Sequence, residues 1–264
     1  MLRSMYSGVS GMKNFQTKLD VIGNNISNVN TIGYKKSTIN FQDLLSQNLS
    51  SSGANPMQVG LGSASASISV NHNAGSAMTT GVGTDLAIMG DGFFVVKETA
   101  PSTKQYLTRS GNFTVAEDGK LITAQGHEVQ GIPNAGGAAT SITIPQGTDS
   151  FYINGLGEVI TKNAAGVESR LSSVAISAPE NPSGLSKVGG SLYEMTTIAS
   201  ANGIDPGTAT AKKTEIGSGM LEMSNVDLTE EFTEMIIAQR GFQANSRTIT
   251  TSDEVLQEVI NLKR

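Results

Sequence analysis

An apolar residue at every seventh position marks both ends of this chain. Near the start, Met5, Met12, Leu19 and Ile26 repeat at that interval, with Leu2 and Val9 at a companion position and Ile22 and Val29 on a neighbouring stripe. Near the end, Leu228, Met235, Phe242, Ile249 and Leu256 repeat over four intervals, with Phe232 and Ile260 at the outer companion positions and Gln239, Ser246 and Asp253 between them. A seven-residue period is the signature of an amphipathic helix with coiled-coil spacing. It predicts one helix from Leu2 to about Val29, on the order of 40 Å long at ~1.5 Å per residue, and a second from about Asn225 to Leu262. Gly8, Gly11 and Gly23 lie inside the first. Each costs about 1 kcal/mol against Ala in an isolated helix, so this helix needs a partner. The second seam is polar in its middle, which suits a helix packed on several sides better than a simple dimer.

Local signals fix the ends of these helices. The first runs into an Asn-rich turn, 24–34, whose Asn and Gly residues tolerate left-handed backbone angles. Asp227 and Glu230 form a capping-box-like pair at the start of the second. Glu230 and Glu231 near its start, with Lys263 and Arg264 at its end, complement the helix dipole. The β-branched run Thr248, Ile249, Thr250, Thr251 predicts a local bend. Residues 1–36 hold five bases and one acid, and residues 222–264 eight acids and four bases. Opposite charge favours pairing of the two ends, within or between subunits.

Between the helices the pattern changes. Residues 50–66 are rich in Gly and Ser and predict an extended linker. Short β runs follow at 85–88, 92–96, 106–108, 112–115, 120–122, 141–144, 150–153 and 159–161, with Glu117-Asp118-Gly119 as a hairpin turn. The predicted fold is therefore α+β. Long N- and C-terminal helices form a coiled-coil-like stem, and a central all-β domain sends its two ends back to them. The boundaries expected are residues 1–34 for the N-terminal helix, 35–75 for the linker region, 76–221 for the β domain and 222–264 for the C-terminal helix.

Composition narrows what such a chain does. The 264 residues carry a net charge of -5 and no basic cluster, so no nucleic-acid footprint is present. No segment approaches the ~20 apolar residues of a membrane helix, and the N-terminus has no apolar core of a secretory signal. There is no Cys, and His72 and His127 stand apart without ligand-spaced acids, so both read as loop or surface histidines and no metal is expected. The Gly81–Asp85 run lacks the third glycine of a dinucleotide loop, and the Glu230-Glu231 pair reads as a solvated helix face. No catalytic set converges and no cofactor is expected.

Two long motifs remain. Residues 19–35, with Asn24, Asn25, Asn28, Thr31, Gly33 and Tyr34, resemble the N-terminal signature of bacterial flagellar rod and hook proteins. Residues 221–228 and 235–245, with Asn225, Val226, Gln239, Arg240 and Asn245, resemble their C-terminal helix, and 85–94 and 108–113 fit the same family. The resemblance implies a structural, non-enzymatic subunit that leaves the cell by the flagellar type III export apparatus and polymerises helically into a hollow tube. Terminal helices would line the tube, largely disordered in the monomer, and the β domain would form the outer layer. Other copies, neighbouring rod proteins, the hook cap and the hook–filament junction proteins are the implied partners. The ending Val259–Arg264 is hook-like and favours a short hook protein, which transmits motor torque to the filament. The chain length and the 50–66 segment suit the alternative, a distal rod protein. A secreted adhesin with coiled-coil ends and a β head is the remote alternative, and it predicts a discrete oligomer. The expected assembly residues are those of the two apolar seams, Met5, Val9, Met12, Leu19, Ile22, Ile26 and Val29 with Leu228, Phe232, Met235, Phe242, Ile249, Leu256 and Ile260.

Overall fold

The computed structural model describes residues 2–50, 57–99, 104–134, 137–146, 148–163, 166–201 and 203–262. Residues 51–56 of the expected linker and the closing bases Lys263 and Arg264 lie outside the described residues. The chain divides into two compact units. A helical unit comprises Met1–Asn28, Lys36–Asn71 and Val226–Arg264, and a β unit comprises Val29–Lys35 and His72–Asn225.

In the helical unit, α1 runs Leu2–Ser27 and α2 runs Leu228–Asn261. α1 stops where the Asn28 side chain turns back to donate to the Asn24 carbonyl and to Asn24 Oδ1, both at 2.8 Å. This leaves Val29 beyond the helix and in the β unit, so it does not extend the α1 stripe as the sequence pattern suggested. Asp227 caps α2, accepting from the backbone N–H of Thr229 and Glu230. α2 continues through the β-branched run, with no break at the expected bend. There the Thr248 hydroxyl donates to the Ala244 carbonyl, and the Thr251 hydroxyl to that of Arg247.

The segment read as a linker is built into strands. β1 (Ser37–Asp43) pairs antiparallel with β4 (Ser63–Val70), and β2 (Ser46–Ser50) with β3 (Met57–Gly60). Backbone ladders rather than apolar packing hold them. Most of β4 is Ser and Ala and half of it is exposed, so the sequence carries little of the alternation by which strands are recognised.

The β unit is an antiparallel sheet of twelve strands among the described residues. At its centre Phe93–Lys97 pairs with Gln105–Thr108 on one side and Glu128–Pro133 on the other. Successive side chains of a strand point to opposite faces, and both faces of this one are covered. Phe94 and Val96 join a cluster with Leu86, Phe113, Leu121 and Ile176, while Phe93 and Val95 join another with Leu107, Leu185 and Tyr193. A continuous apolar run is what two-sided burial requires. The inbound and outbound segments run side by side: Ala77–Thr79 pairs with Met220–Glu222, and Leu86–Met89 with Glu215–Ser218.

Candidate functional site

Within the helical unit, the face of α2 turned to α1 is made of small and polar residues. A Cβ on Gly241 would lie 2.5 Å from Phe15 Cζ, and one on Gly11 2.9 Å from Asn245 Nδ2. Gly8 and Gly11, which weaken α1 in isolation, are therefore among the residues that let the helices approach. Ala238 is fully buried, and Ile249 packs against Gly8. A heptad repeat drifts around a straight α-helix by ~20° every seven residues. The heptad seam accordingly coincides only in part with the α1-facing side: Met235, Ile249 and Leu256 are half-buried. Leu228, Phe232, Phe242 and Ile260 stay exposed, Phe232 at 51% and Ile260 at 65%. The helices pair, with Ile249 the seam residue seated against Gly8, but several of the large residues that predicted a coiled-coil stem stay outside the pairing. Of the α1 residues, Ile22 is buried, Met5, Met12, Leu19 and Ile26 are half-buried, and Val9 is exposed.

An apolar surface is thereby left on the outside of α2. Ile236, Ile237, Val255 and Val259 add to the exposed heptad residues, and Gln239 and Arg240 lie exposed among them. Monomeric soluble proteins rarely leave apolar area of this extent exposed on one helix.

Charge pairs the two ends of the chain inside this unit. Lys18 pairs with Glu234, and Lys36 reaches Glu231 at 2.8 Å and Glu230 at 2.9 Å. Burial opposes the Lys36 charge, yet the hydrogen bonds to Glu231 and Glu230 outweigh it and hold the ammonium above its ordinary value. Glu231 is not on a solvated face: it is buried, and Asn25 Nδ2 donates to it at 3.1 Å. Asn25 also donates to the Ser37 carbonyl and accepts from the Ser37 N–H. Glu230 does not return to the Asp227 N–H as a capping box would have it, because its carboxylate is engaged by Lys36.

The β unit holds a second charged cluster, and it is buried. Lys35 is 0% exposed, Arg109 2% and Glu222 3%. Lys35 Nζ donates to Glu222 Oε1 at 2.6 Å and to the Asn73 carbonyl at 2.7 Å. Arg109 donates to Glu222 Oε2 at 3.1 Å and to the Gly90 carbonyl at 2.8 Å. The Gly75 N–H adds a third donor to the same carboxylate. Burial holds the Lys35 ammonium below its ordinary value despite the Glu222 carboxylate. His72 stands beside the cluster, its ring 5.6 Å from those of Phe93 and Tyr193. It is half-buried rather than a surface histidine. Burial first, and then Lys35, Arg109 and Lys187, push it down to about 4.

The family-signature residues fall into both units. Gly33 takes the left-handed region at φ +67 and donates its N–H to the Glu222 carbonyl at 2.8 Å. Tyr34 donates its N–H to the Thr31 carbonyl and lies under the Lys187 ammonium. Asn225 donates to the Asn73 carbonyl, Val226 is buried, and Asn245 donates to the Gly241 carbonyl. Sequence reasoning gave no role to Lys35, Arg109 or Glu222, and read Glu231 as solvated and His72 as a loop or surface residue. All but Glu231 and His72 lie inside the quoted motifs, and that is the one signal they carried. Among the described residues no group of three or more His, Cys, Asp or Glu is placed to hold a metal. Among the described residues no helix is long and apolar enough to cross a membrane.

Comparison with known proteins agrees with this geometry. Residues 5–35 match the family model described as flagella basal body rod protein, residues 87–161 the flagellar hook protein FlgE/F/G D1 domain, and residues 218–262 the flagellar basal body rod FlgEFG protein C-terminal. The chain is 48% identical to the flagellar basal-body rod protein FlgG of Bacillus subtilis (strain 168) over 276 positions, covering 100% of both. It is 36% identical to the protein of the same name from Borreliella burgdorferi over 278 positions, again over 100% of both. It is 29% identical to the flagellar hook protein FlgE of that organism, an alignment stretched to 445 positions. The chain belongs to the family of bacterial flagellar basal-body rod and hook proteins, structural components of the motility organelle.

Proposed function

We propose that this chain is a distal-rod subunit that polymerises helically into a straight, hollow drive shaft. The observation that carries the polymer reading is the apolar surface on the outside of α2, which nothing within the helical unit covers. The rod is favoured over the hook by length. The 48% identity to a rod protein extends over 276 positions for a chain of 264, whereas the hook relative aligns only over 445. The hook reading suggested by the C-terminal wording yields to this. In the rod reading the partners are other copies through the α1 and α2 apolar residues, adjoining rod and hook subunits, and the flagellar type III export apparatus that delivers the chain. Immunogold labelling of isolated hook–basal bodies tests it. Gold on the straight segment within the envelope is the expected result. Gold on the curved external segment restores the hook, and an unlabelled organelle with a discrete soluble oligomer brings back the adhesin.

A further inference from the structure

The signature segment Val29–Lys35 is compact with the β unit, not with α1 before it or β1 after it in sequence. We infer that this segment is a strap, locked into the β unit of the single subunit by the Lys35–Glu222–Arg109 cluster, so that the chain's path through that unit is fixed before any assembly. Several contacts within that unit hold it. The Gly33 N–H bonds to the Glu222 carbonyl, Lys35 Nζ to the Glu222 carboxylate and the Asn73 carbonyl, and the Lys187 ammonium to the Lys35 carbonyl at 3.2 Å. Gly33 is held so closely that a Cβ would stand 2.6 Å from the Ser110 N atom, a backbone atom that cannot swing away.

The lock joins parts of the chain far apart in sequence. Glu222 lies on the outbound strand Met220–Glu222, Gly75 and Asn73 on the inbound segment, and Arg109 just beyond the strand Gln105–Thr108. One carboxylate thus ties the strap to the inbound and outbound segments together. Removing it leaves two buried cations without a counter-charge, which is far costlier than the loss of a surface pair. The strap therefore stays closed in the unassembled subunit, whatever the state of the terminal helices. The adjoining Lys36 anchors separately, to Glu230 and Glu231 of α2.

Hydrogen exchange by mass spectrometry on the full-length protein, held monomeric as checked by sedimentation, reads the strap directly. In the wild type, peptides spanning 29–35 exchange slowly, like those of the central strand 93–97. In Glu222→Gln, strap exchange rises at least about a hundredfold, the scale expected on breaking a buried pair, while 93–97 stays protected. Gly33→Ala serves as the second variant, because it evicts the strap by collision and leaves the buried charges in place. It releases 29–35 in the same way, and it decides the matter if Glu222→Gln loses the sheet as well. A wild-type strap that exchanges like unstructured chain, or one that remains protected in Gly33→Ala, overturns the inference.

Discussion

His72 is a residue on which the folded β unit has no room for a proton. Its Nδ1 is buried without a hydrogen-bond partner. The ring is flanked by Phe93 and Tyr193, and the charges around it are the cations Lys35, Arg109 and Lys187 with the carboxylate Glu222 paired to the first two. A hydrogen bond involving the Pro182 backbone pulls the other way but is outweighed. With the folded value pushed down from 6.5 to about 4, the folded state binds fewer protons than the unfolded chain across that window. Its contribution to stability is therefore full above pH ~6.5 and lost as pH falls towards ~4, with a size of about 2 kcal/mol once partial solvent access is allowed for. Denaturant unfolding of the full chain at pH 7 and pH 4.5 should show the wild type losing more stability than His72→Phe by that amount. Equal losses in both proteins would place the acid sensitivity elsewhere. None of this was legible in the sequence, where His72 is an isolated imidazole in a polar stretch. The same holds for Lys35 and Glu222, which read as two more terminal charges. Their contact spans 187 positions, and no local pattern distinguishes a buried lysine from a solvated one.

At the level of elements, the sequence was informative where the signal is short-range. The seven-residue period located both helices, and Asp227 marked the start of α2, where it accepts from the Thr229 N–H at 2.8 Å. The apolar runs located part of the strands that build the two clusters of the β unit, Phe93–Lys97 among them, but not Glu128–Pro133, Glu168–Val174, Leu192–Glu194 or Glu215–Ser218. Two further things escaped. β1 to β4 are polar strands whose pairing rests on backbone hydrogen bonds, so residues 50–66 looked like a linker. The face by which α2 meets α1 is lined by small and polar side chains, which an apolar period cannot reveal. That face makes a specific demand. Gly241 is in van der Waals contact with the Phe15 ring, so Gly241→Val drives two methyl groups and a Cβ into it. Overpacking of this kind costs about 1–3 kcal/mol. Urea unfolding followed by far-UV ellipticity should show that loss in the helical transition of Gly241→Val. A similar change at Gly23, where a Cβ meets nothing within 4 Å, should leave it in place.

For the whole molecule, the division into a helical and a β unit separates two tasks, and mutations can tell them apart. The β unit carries its own two-sided core, and the helical unit leaves the large residues of α2 uncovered. A charge placed on that surface meets solvent in the single subunit and costs little there. In a polymer that covers the surface, the same charge is taken out of water without a partner, at a cost of several kcal/mol per subunit. Phe232→Asp and Phe242→Asp should therefore preserve the far-UV spectrum and solubility of the subunit while abolishing straight rods in electron micrographs of basal bodies. Leu256→Asp is a poorer probe, because Leu256 is half-buried within the unit and its substitution disturbs the subunit as well as the polymer. Exchange protection in the β unit, read at Phe93–Lys97, distinguishes the cases. Unchanged protection with no rods assigns the outer face of α2 to subunit contact, and rods of normal length from Phe232→Asp and Phe242→Asp would show that the contact lies on some other face of the helical unit.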